Sequence, residues 1–189
     1  MPLIKPVMGR YFVKMMHSKH YNGAAALECY STHLFIGERA IRRMMTKSPR
    51  SYGYVVTDIS NKVIAFIIFR RYTKDRKLHL VDLVVHPDHR RQGIGSMLVK
   101  RMSAVMKRMN GHINGILTVA RETNLLGHKF LNKNGFVAYR VAPDFFVDEW
   151  ADCTDKEDGY VFAFSPYPDI LRWWLSGAKE AREKGWKNE

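Results

Sequence analysis

Three observations predict a single α/β domain built on a mixed sheet. Strand, helix, strand, helix and strand follow one another between residues 78 and 139, the order that a parallel crossover requires. Ahead of them, two apolar stretches at residues 51–59 and 63–72 are separated by Ser60-Asn61-Lys62, a turn that would join them as an antiparallel hairpin. With 189 residues, 46% of them hydrophobic and 12% aromatic, the chain is long and apolar enough for one substantial core.

Each element has its own signal. Residues 11–13 read as a first strand. Residues 24–34 and 38–45 read as two helices, because Leu27, Tyr30 and Leu34 share one face of the first and Ile41, Met44 and Met45 one face of the second. Residues 78–85 are apolar except for His79 and Asp82, as expected of a strand covered on both sides. Beyond them Ile94, Met97, Leu98, Met102, Val105, Met106 and Met109 recur at three- and four-residue steps, with Lys100, Arg101, Lys107 and Arg108 opposite. A strand at 115–119 leads to a helix that Thr123 or Asn124 can cap and that Gly135 ends, with Leu126, Phe130 and Leu131 as its stripe. Phe136 opens a strand to residue 140, and residues 159–164 form the last strand. Pro166 and Pro168 then precede a helix with Ile170, Leu171, Trp174, Leu175 and Ala178 on one side. Residues 1–165 are expected to form the domain and 166–189 a helical tail, whose Trp173-Trp174 pair would dock on the domain, pair two copies into a homodimer or touch a membrane surface.

Composition narrows the setting. The N-terminus lacks the apolar core of a signal peptide, and the longest wholly apolar run, residues 63–69, falls well short of the roughly 18 residues that span a bilayer. A cytoplasmic protein is expected. Cys29 and Cys153 match no disulfide or metal spacing. The formal charge of +13 favours polyanions such as RNA or ribosomes, yet residues 141–169 run the other way, with Lys156 alone against eight carboxylates.

The most informative stretch is Val84-Val85-His86-Pro87-Asp88-His89-Arg90-Arg91-Gln92-Gly93-Ile94-Gly95-Ser96. A strand passes through a proline turn to a helix start with two glycines, where the backbone can approach a ligand and unpaired amides can receive an anion. A dinucleotide fingerprint would need glycine at position 98, which is Leu98, and no Gly-Lys-Ser/Thr triplet exists for a P-loop. What remains, Arg90-Arg91-Gln92-Gly93-Ile94-Gly95, resembles the acyl-CoA pyrophosphate loop of the GNAT superfamily of N-acetyltransferases. Arg121-Glu122-Thr123-Asn124 through Gly135-Phe136 resembles that superfamily's Asn-capped helix. The resemblance covers residues 8–164, and within the superfamily Arg121 to Asn124, Asp144-Phe145-Phe146 and Gly159-Tyr160-Val161-Phe162 are most similar to the bacterial ribosomal-protein alanine N-acetyltransferases.

That resemblance implies a mostly antiparallel sheet with a V-shaped opening between the strands at 78–85 and 115–119, where acetyl-CoA lies. Backbone groups of Leu83, Val84 and Val85 would hold the pantetheine and thioester, amides of Arg91, Gln92, Gly93, Ile94, Gly95 and Ser96 the pyrophosphate, and Asn124 the pantetheine arm as well as the helix end. No metal is implied. A primary amine, foremost the α-amine of a basic or ribosomal protein, would attack the thioester directly.

Two positions depart from the family pattern. The carboxylate base of the ribosomal-protein enzymes would fall at Thr118 or Val119, neither of which accepts a proton usefully. His79, four residues before Leu83, matches a second superfamily position for the base, and even spacing on a strand would place the two on one face. A half-buried histidine bonded to a neighbour is the plain alternative. The tyrosine that protonates the departing thiolate would fall at Leu131, so Tyr139 on the next strand, or unassisted departure, must serve. Small-amine acetylation and a catalytically impaired CoA-binding or ribosome-associated module are the competing readings.

Overall fold

The computed structural model describes residues 10–31, 37–47, 50–109, 112–147 and 156–183. In chain order these form β1 (Phe12–Met15), α1 (Tyr21–Leu27), α2 (Gly37–Lys47), β2 (Ser51–Thr57), β3 (Val63–Tyr72), β4 (Lys77–Val85), α3 (Ile94–Arg108), β5 (Gly115–Arg121), α4 (Leu125–Lys133), β6 (Val137–Val147), β7 (Lys156–Phe164) and α5 (Pro168–Glu183). The seven strands make one sheet in the order β1-β2-β3-β4-β5-β7-β6. The β4–β5 pair is parallel and every other pairing antiparallel. The expected fold class, hairpin and crossover are therefore present.

Helices cover both faces. On one, Leu98, Met102 and Met106 of α3 pack with Phe69, Leu78 and Ile116; on the other, Tyr21, Ala24 and Leu27 of α1 and Ile41 of α2 pack with Val55, Phe66 and Ile68. Strand β3 lies between these layers, which is why its residues Val63 to Phe69 are all buried and read as an unbroken apolar run. The turn before β3 is closed by the Asp58 carboxylate, which accepts from the Ser60 and Lys62 amides at 2.9 Å each, while Asn61 takes φ 62°.

Three boundaries differ from expectation, each for a tertiary reason. The helix expected over 24–34 ends as α1 at Leu27 and tightens into a 3-10 turn at Glu28–Tyr30; residues 32–36 lie outside the described set. Arg90 donates to the Tyr30 carbonyl at 3.3 Å and the Tyr30 ring meets His86 edge-on at 5.0 Å, so the loop before α3 captures this segment. Strand β6, expected to stop at residue 140, continues to Val147, and β7 starts at Lys156 rather than 159. Pairing of Phe146 with Glu157 and Val147 with Lys156 turns both ends of the expected acidic loop into ladder, leaving 148–155 outside the described residues. Asp148, Glu149, Asp152, Cys153 and Asp155 fall there.

Helix α5 returns to the sheet. Trp174 stands over the Lys77 ammonium at 5.0 Å and so close to Gly115 that an added Cβ would lie 2.6 Å from its ring. Trp173 beside it is 73% exposed. No helix among the described residues is long and apolar enough to cross a membrane.

Candidate functional site

Strands β4 and β5 pair only at Lys77 with Gly115, Leu78 with Ile116 and His79 with Leu117. Thr118 then donates its hydroxyl hydrogen to the Leu80 carbonyl at 3.1 Å, and beyond this crosslink the strands part. The register of β4 against β3 explains the divergence: Ile68 faces Asp82 but Phe69 faces Leu80, so Val81 is an extra, bulged residue. A bulge bends its strand and increases its twist. It also reverses side-chain parity. Leu78 and Leu80 before it, and Leu83 and Val85 after it, all pack into the α3 core, whereas Val84 packs toward α1. His79 and Leu83 thus lie on opposite faces of β4, and the even-spacing argument does not carry across Val81.

The parting opens a cavity of about 450 Å³. Leu83, Val84 and Val85 line one wall, Arg91, Gly93, Ile94, Gly95 and Ser96 the far end, and Asn124, Leu126, Lys129, Phe130 and Lys133 the side toward α4. Nine of the ten residues expected around the donor therefore converge on one groove. Gln92 turns aside: its side-chain oxygen accepts from the Tyr11 hydroxyl at 2.7 Å and its amide donates to the Asp88 carbonyl. That bracing ties the loop to β1.

Local chemistry shapes the far end. Arg91 at φ 61° and Gly93 at φ 78° are left-handed positions in the turn before α3, the kind of backbone that forms anion-binding nests, and Gly93 caps α3, whose first amides have no intrahelical acceptor. The two glycines serve different ends. A Cβ on Gly93 would meet nothing within 4 Å and would project into open space, whereas one on Gly95 would come within 2.9 Å of the Phe130 ring. So Gly93 leaves the anion cradle clear, and Gly95 lets α3 pack against α4 and β4. A cradle of inward amides, flanked by Arg91, Lys129 and Lys133, fits a pyrophosphate.

Asn124 caps α4, its carbonyl oxygen accepting from the Gly127 amide at 2.9 Å. Gly135 at φ 83° and the Phe136 amide bonded to the Leu131 carbonyl close the other end. The entry to α4 is fastened by Glu157, which accepts from the Thr123 amide at 2.8 Å, the Thr123 hydroxyl at 2.6 Å and Arg121 at 2.9 Å. Burial pushes this carboxyl up, but the hydrogen bonds from Thr123 and Arg121 outweigh it and bring the pKa to about 2. Arg121 also stacks over Phe146 at 4.7 Å.

The proton-transfer candidates lie apart from the groove lining. His79 sits at the apex of the opening, packed against Tyr72 with ring centroids 4.3 Å apart and planes tilted by 43°. Burial, then the neighbouring Lys77 charge, hold its imidazole below the usual pKa against an opposing pull from Asp75. Tyr139 is on β6, with β7 between it and β5; two strand spacings put the β6 backbone roughly 10 Å from that of β5. Leu131 is buried in the α3 core. Asp82, which appeared in the sequence only as an interruption of an apolar run, is 5% exposed and shares the His79 face of β4 across the bulge. Lys129 and Lys133 went unassigned, although their four-residue spacing on the Asn124 helix would have placed both beside the cradle.

The profile of the Acetyltransferase (GNAT) family matches residues 22–136, which hold the bulged strand, the cradle and the Asn-capped helix. The chain belongs to the GNAT acetyltransferase family. GNAT enzymes transfer an acetyl group from acetyl-CoA to an amine. A search of curated proteins returned no match. Among solved structures, the fold is similar to the ribosomal-protein-S18-alanine N-acetyltransferase from Escherichia coli, at 16% identity over 82% of this chain and 93% of that one, with a TM-score of 0.68. It is equally similar to Ard1 from Thermoplasma volcanium, at 18% identity over 82% and 97% of the two chains and a TM-score of 0.68. A Bacillus anthracis protein, provisionally assigned as a streptothricin acetyltransferase and solved with acetyl coenzyme A, matches at 23% identity over 62% and 64% of the chains with a TM-score of 0.52. This GNAT chain thus shares its architecture with acetyltransferases of different acceptors.

Proposed function

We propose that this GNAT protein acetylates the N-terminal α-amine of a basic protein, by direct attack of the amine on the acetyl-CoA thioester. The observation that carries the reading is the parting of β4 from β5 after His79 and Leu117, which leaves the backbone edge of Leu83 to Val85 facing a groove that ends on the α3 amides. Bound acetyl-CoA supplies the activated acyl group. The edge of Leu83 to Val85 offers backbone hydrogen bonds to the pantetheine, Arg91 through Ser96 the anion cradle, and Asn124 a polar contact beside it. Gln92 acts indirectly, by bracing the cradle against Tyr11.

His79 is taken as the base because it stands where β4 and β5 begin to part, and burial, by holding its imidazole below the usual pKa, favours the neutral form that can take a proton. Such a base favours α-amines. An α-amine near pKa 8 lies about one unit above neutrality and a lysine near 10.4 over three, so a neutral lysine costs roughly 3 kcal/mol more. The thiolate, with an unperturbed pKa near 8.5, is a tolerable leaving group without a tyrosine, which suits the distance of Tyr139 and the apolar Leu131. The acidic excess of residues 141–169 favours a cationic acceptor, although within it Glu157 is committed to Arg121 and Thr123 and Asp144 pairs with Lys156 at 3.4 Å. Residues 1–165 are assigned as the catalytic domain and 166–189 as a helical tail that docks back on it through Trp174.

The test is free-thiol release from acetyl-CoA with three acceptors: a Lys/Arg-rich peptide with a free N-terminus, the same peptide blocked at its N-terminus, and a panel of small amines. Release with the first alone is expected. Equal release with the blocked peptide would make the acceptor lysine, and release only with small amines would replace the protein acceptor altogether.

A further inference from the structure

We infer that the pole of the molecule opposite the acetyl-CoA groove binds single-stranded nucleic acid. This inference does not depend on which amine is acetylated. Four chain segments converge at this pole. Helix α2 ends there at Lys47, Arg50 holds the C-terminal end of β3 through its carbonyl bonded to the Arg71 amide, the β3–β4 turn carries Lys74 and Arg76, and α3 ends there at Lys107 and Arg108. Topology requires the last of these, because α3 starts at the cradle and must return to where β5 begins beside Lys77. All six side chains are exposed. Among described residues the carboxylates nearby are Asp75 in the same turn and Asp169, which pairs with Arg172 at 3.9 Å. An excess of cations remains.

Distance separates this charge from the donor. The nine residues of β4 span about 27 Å from Lys77 to Val85, more than three times the screening length of about 8 Å in physiological salt. The patch therefore adds little to CoA binding. Its partner must be a polyanion that leaves the groove open.

An exposed aromatic ring on the helix docked at this pole selects the kind of polyanion. Trp173 is 73% exposed, next to the Trp174 that anchors α5 over Lys77 and Gly115, whereas the Tyr72 ring at the end of β3 is packed against His79. An exposed indole on the helix that docks at this pole offers a stacking platform to an unpaired base.

The experiment uses the full chain and fluorescent oligouridylate and oligothymidylate of about 12 nucleotides, a length within the usual single-strand site size. Binding should weaken as salt rises, and a variant with Lys74, Arg76, Lys107 and Arg108 changed to Gln should lose about 0.7 from the log–log salt slope for each phosphate contact removed. Trp173→Ala, at an exposed position where folding is not at risk, should weaken binding about 5- to 150-fold. A control with Lys14, Lys19, Arg39 and Lys62 changed to Gln, equal in charge but away from the pole, should bind as the parent does. Both quadruple variants should keep parental acetyl-CoA affinity. Equal loss in the two quadruple variants, an unchanged Trp173→Ala, or competition by polyglutamate as strong as by oligouridylate would overturn the inference.

Discussion

Replacing Gly93 and Gly95 singly by alanine should separate two roles that one motif conceals. At Gly93 the cost to folding is conformational, since an L side chain at φ 78° loses roughly 1–2 kcal/mol, and the melting temperature should fall by about 2–8 °C. The new methyl meets no protein atom within 4 Å and Gly93 lines the groove, so the methyl is expected to take space on the ligand side. Losing even one charge-assisted contact between a backbone amide and phosphate, worth roughly 1.5–3 kcal/mol, lowers acetyl-CoA affinity about 10- to 150-fold. At Gly95 the methyl instead lies 2.9 Å from Phe130 Cε2 and 3.6 Å from Leu83 Cδ2. Overpacking of this kind costs roughly 1–3 kcal/mol, offset by up to about 1 kcal/mol of helix propensity. Gly95→Ala should therefore lose stability with a smaller effect on affinity, which Phe130→Leu should partly restore. Isothermal calorimetry with acetyl-CoA, paired with thermal unfolding, reads both quantities. Parental affinity in Gly93→Ala would refute the assignment of the cradle.

Other outcomes follow from the same geometry. His79→Ala should reduce kcat while leaving acetyl-CoA affinity unchanged, and the parental pH–rate profile should lose its acid limb below pH 6.5, because the imidazole pKa is lowered; a variant with the parental profile would return His79 to a purely structural role. Tyr139→Phe should leave the steady-state rate unchanged, and a large fall in kcat would bring Tyr139 into proton transfer. For Glu157 the folded carboxyl is depressed to about 2 from 4.5, so its stabilisation is complete above pH 4.5 and lost as pH falls toward 2. Denaturant unfolding of the parent and Glu157→Gln should accordingly converge over that window, and a constant difference across it would contradict the network at Thr123. Changing Asp148, Glu149 and Asp152 to Asn, Gln and Asn should raise KM for a Lys/Arg-rich acceptor but not for a neutral one; equal effects on both would remove electrostatic selection.

The parts legible in the chain are those whose physics is local. Gly93 beside Ile94 marks a helix start wherever it lies in space. Asn124 caps the amide three residues on, and Gly135 supplies the left-handed stop, so α3, α4 and the cradle between them could be placed by counting. The run from Val63 to Phe69 reads as a buried strand because both of its faces are covered. A family resemblance then supplied the V-shaped opening, which no periodicity contains.

What only the tertiary structure decided depends on pairing between distant residues. Val81 looks like any strand residue, and only the mismatch between Ile68–Asp82 and Phe69–Leu80 shows that it is bulged, that His79 and Leu83 point to opposite faces, and that Asp82 joins the His79 side. Insertion of β7 between β5 and β6 moves Tyr139 two strands from the opening, although in sequence it follows the Asn-capped helix directly. Arg91, Gln92 and Gly93 are consecutive, yet Tyr11, 81 residues away, turns Gln92 out of the cradle. The cations from Lys47 to Arg108 are scattered through the chain and become one pole only because α2, β3 and α3 all finish at the same end of the sheet, on whichever face they lie. Caps and turns are written in contacts between near neighbours. Register, strand order and the sum of surface charge arise from contacts between segments that the chain brings together only on folding.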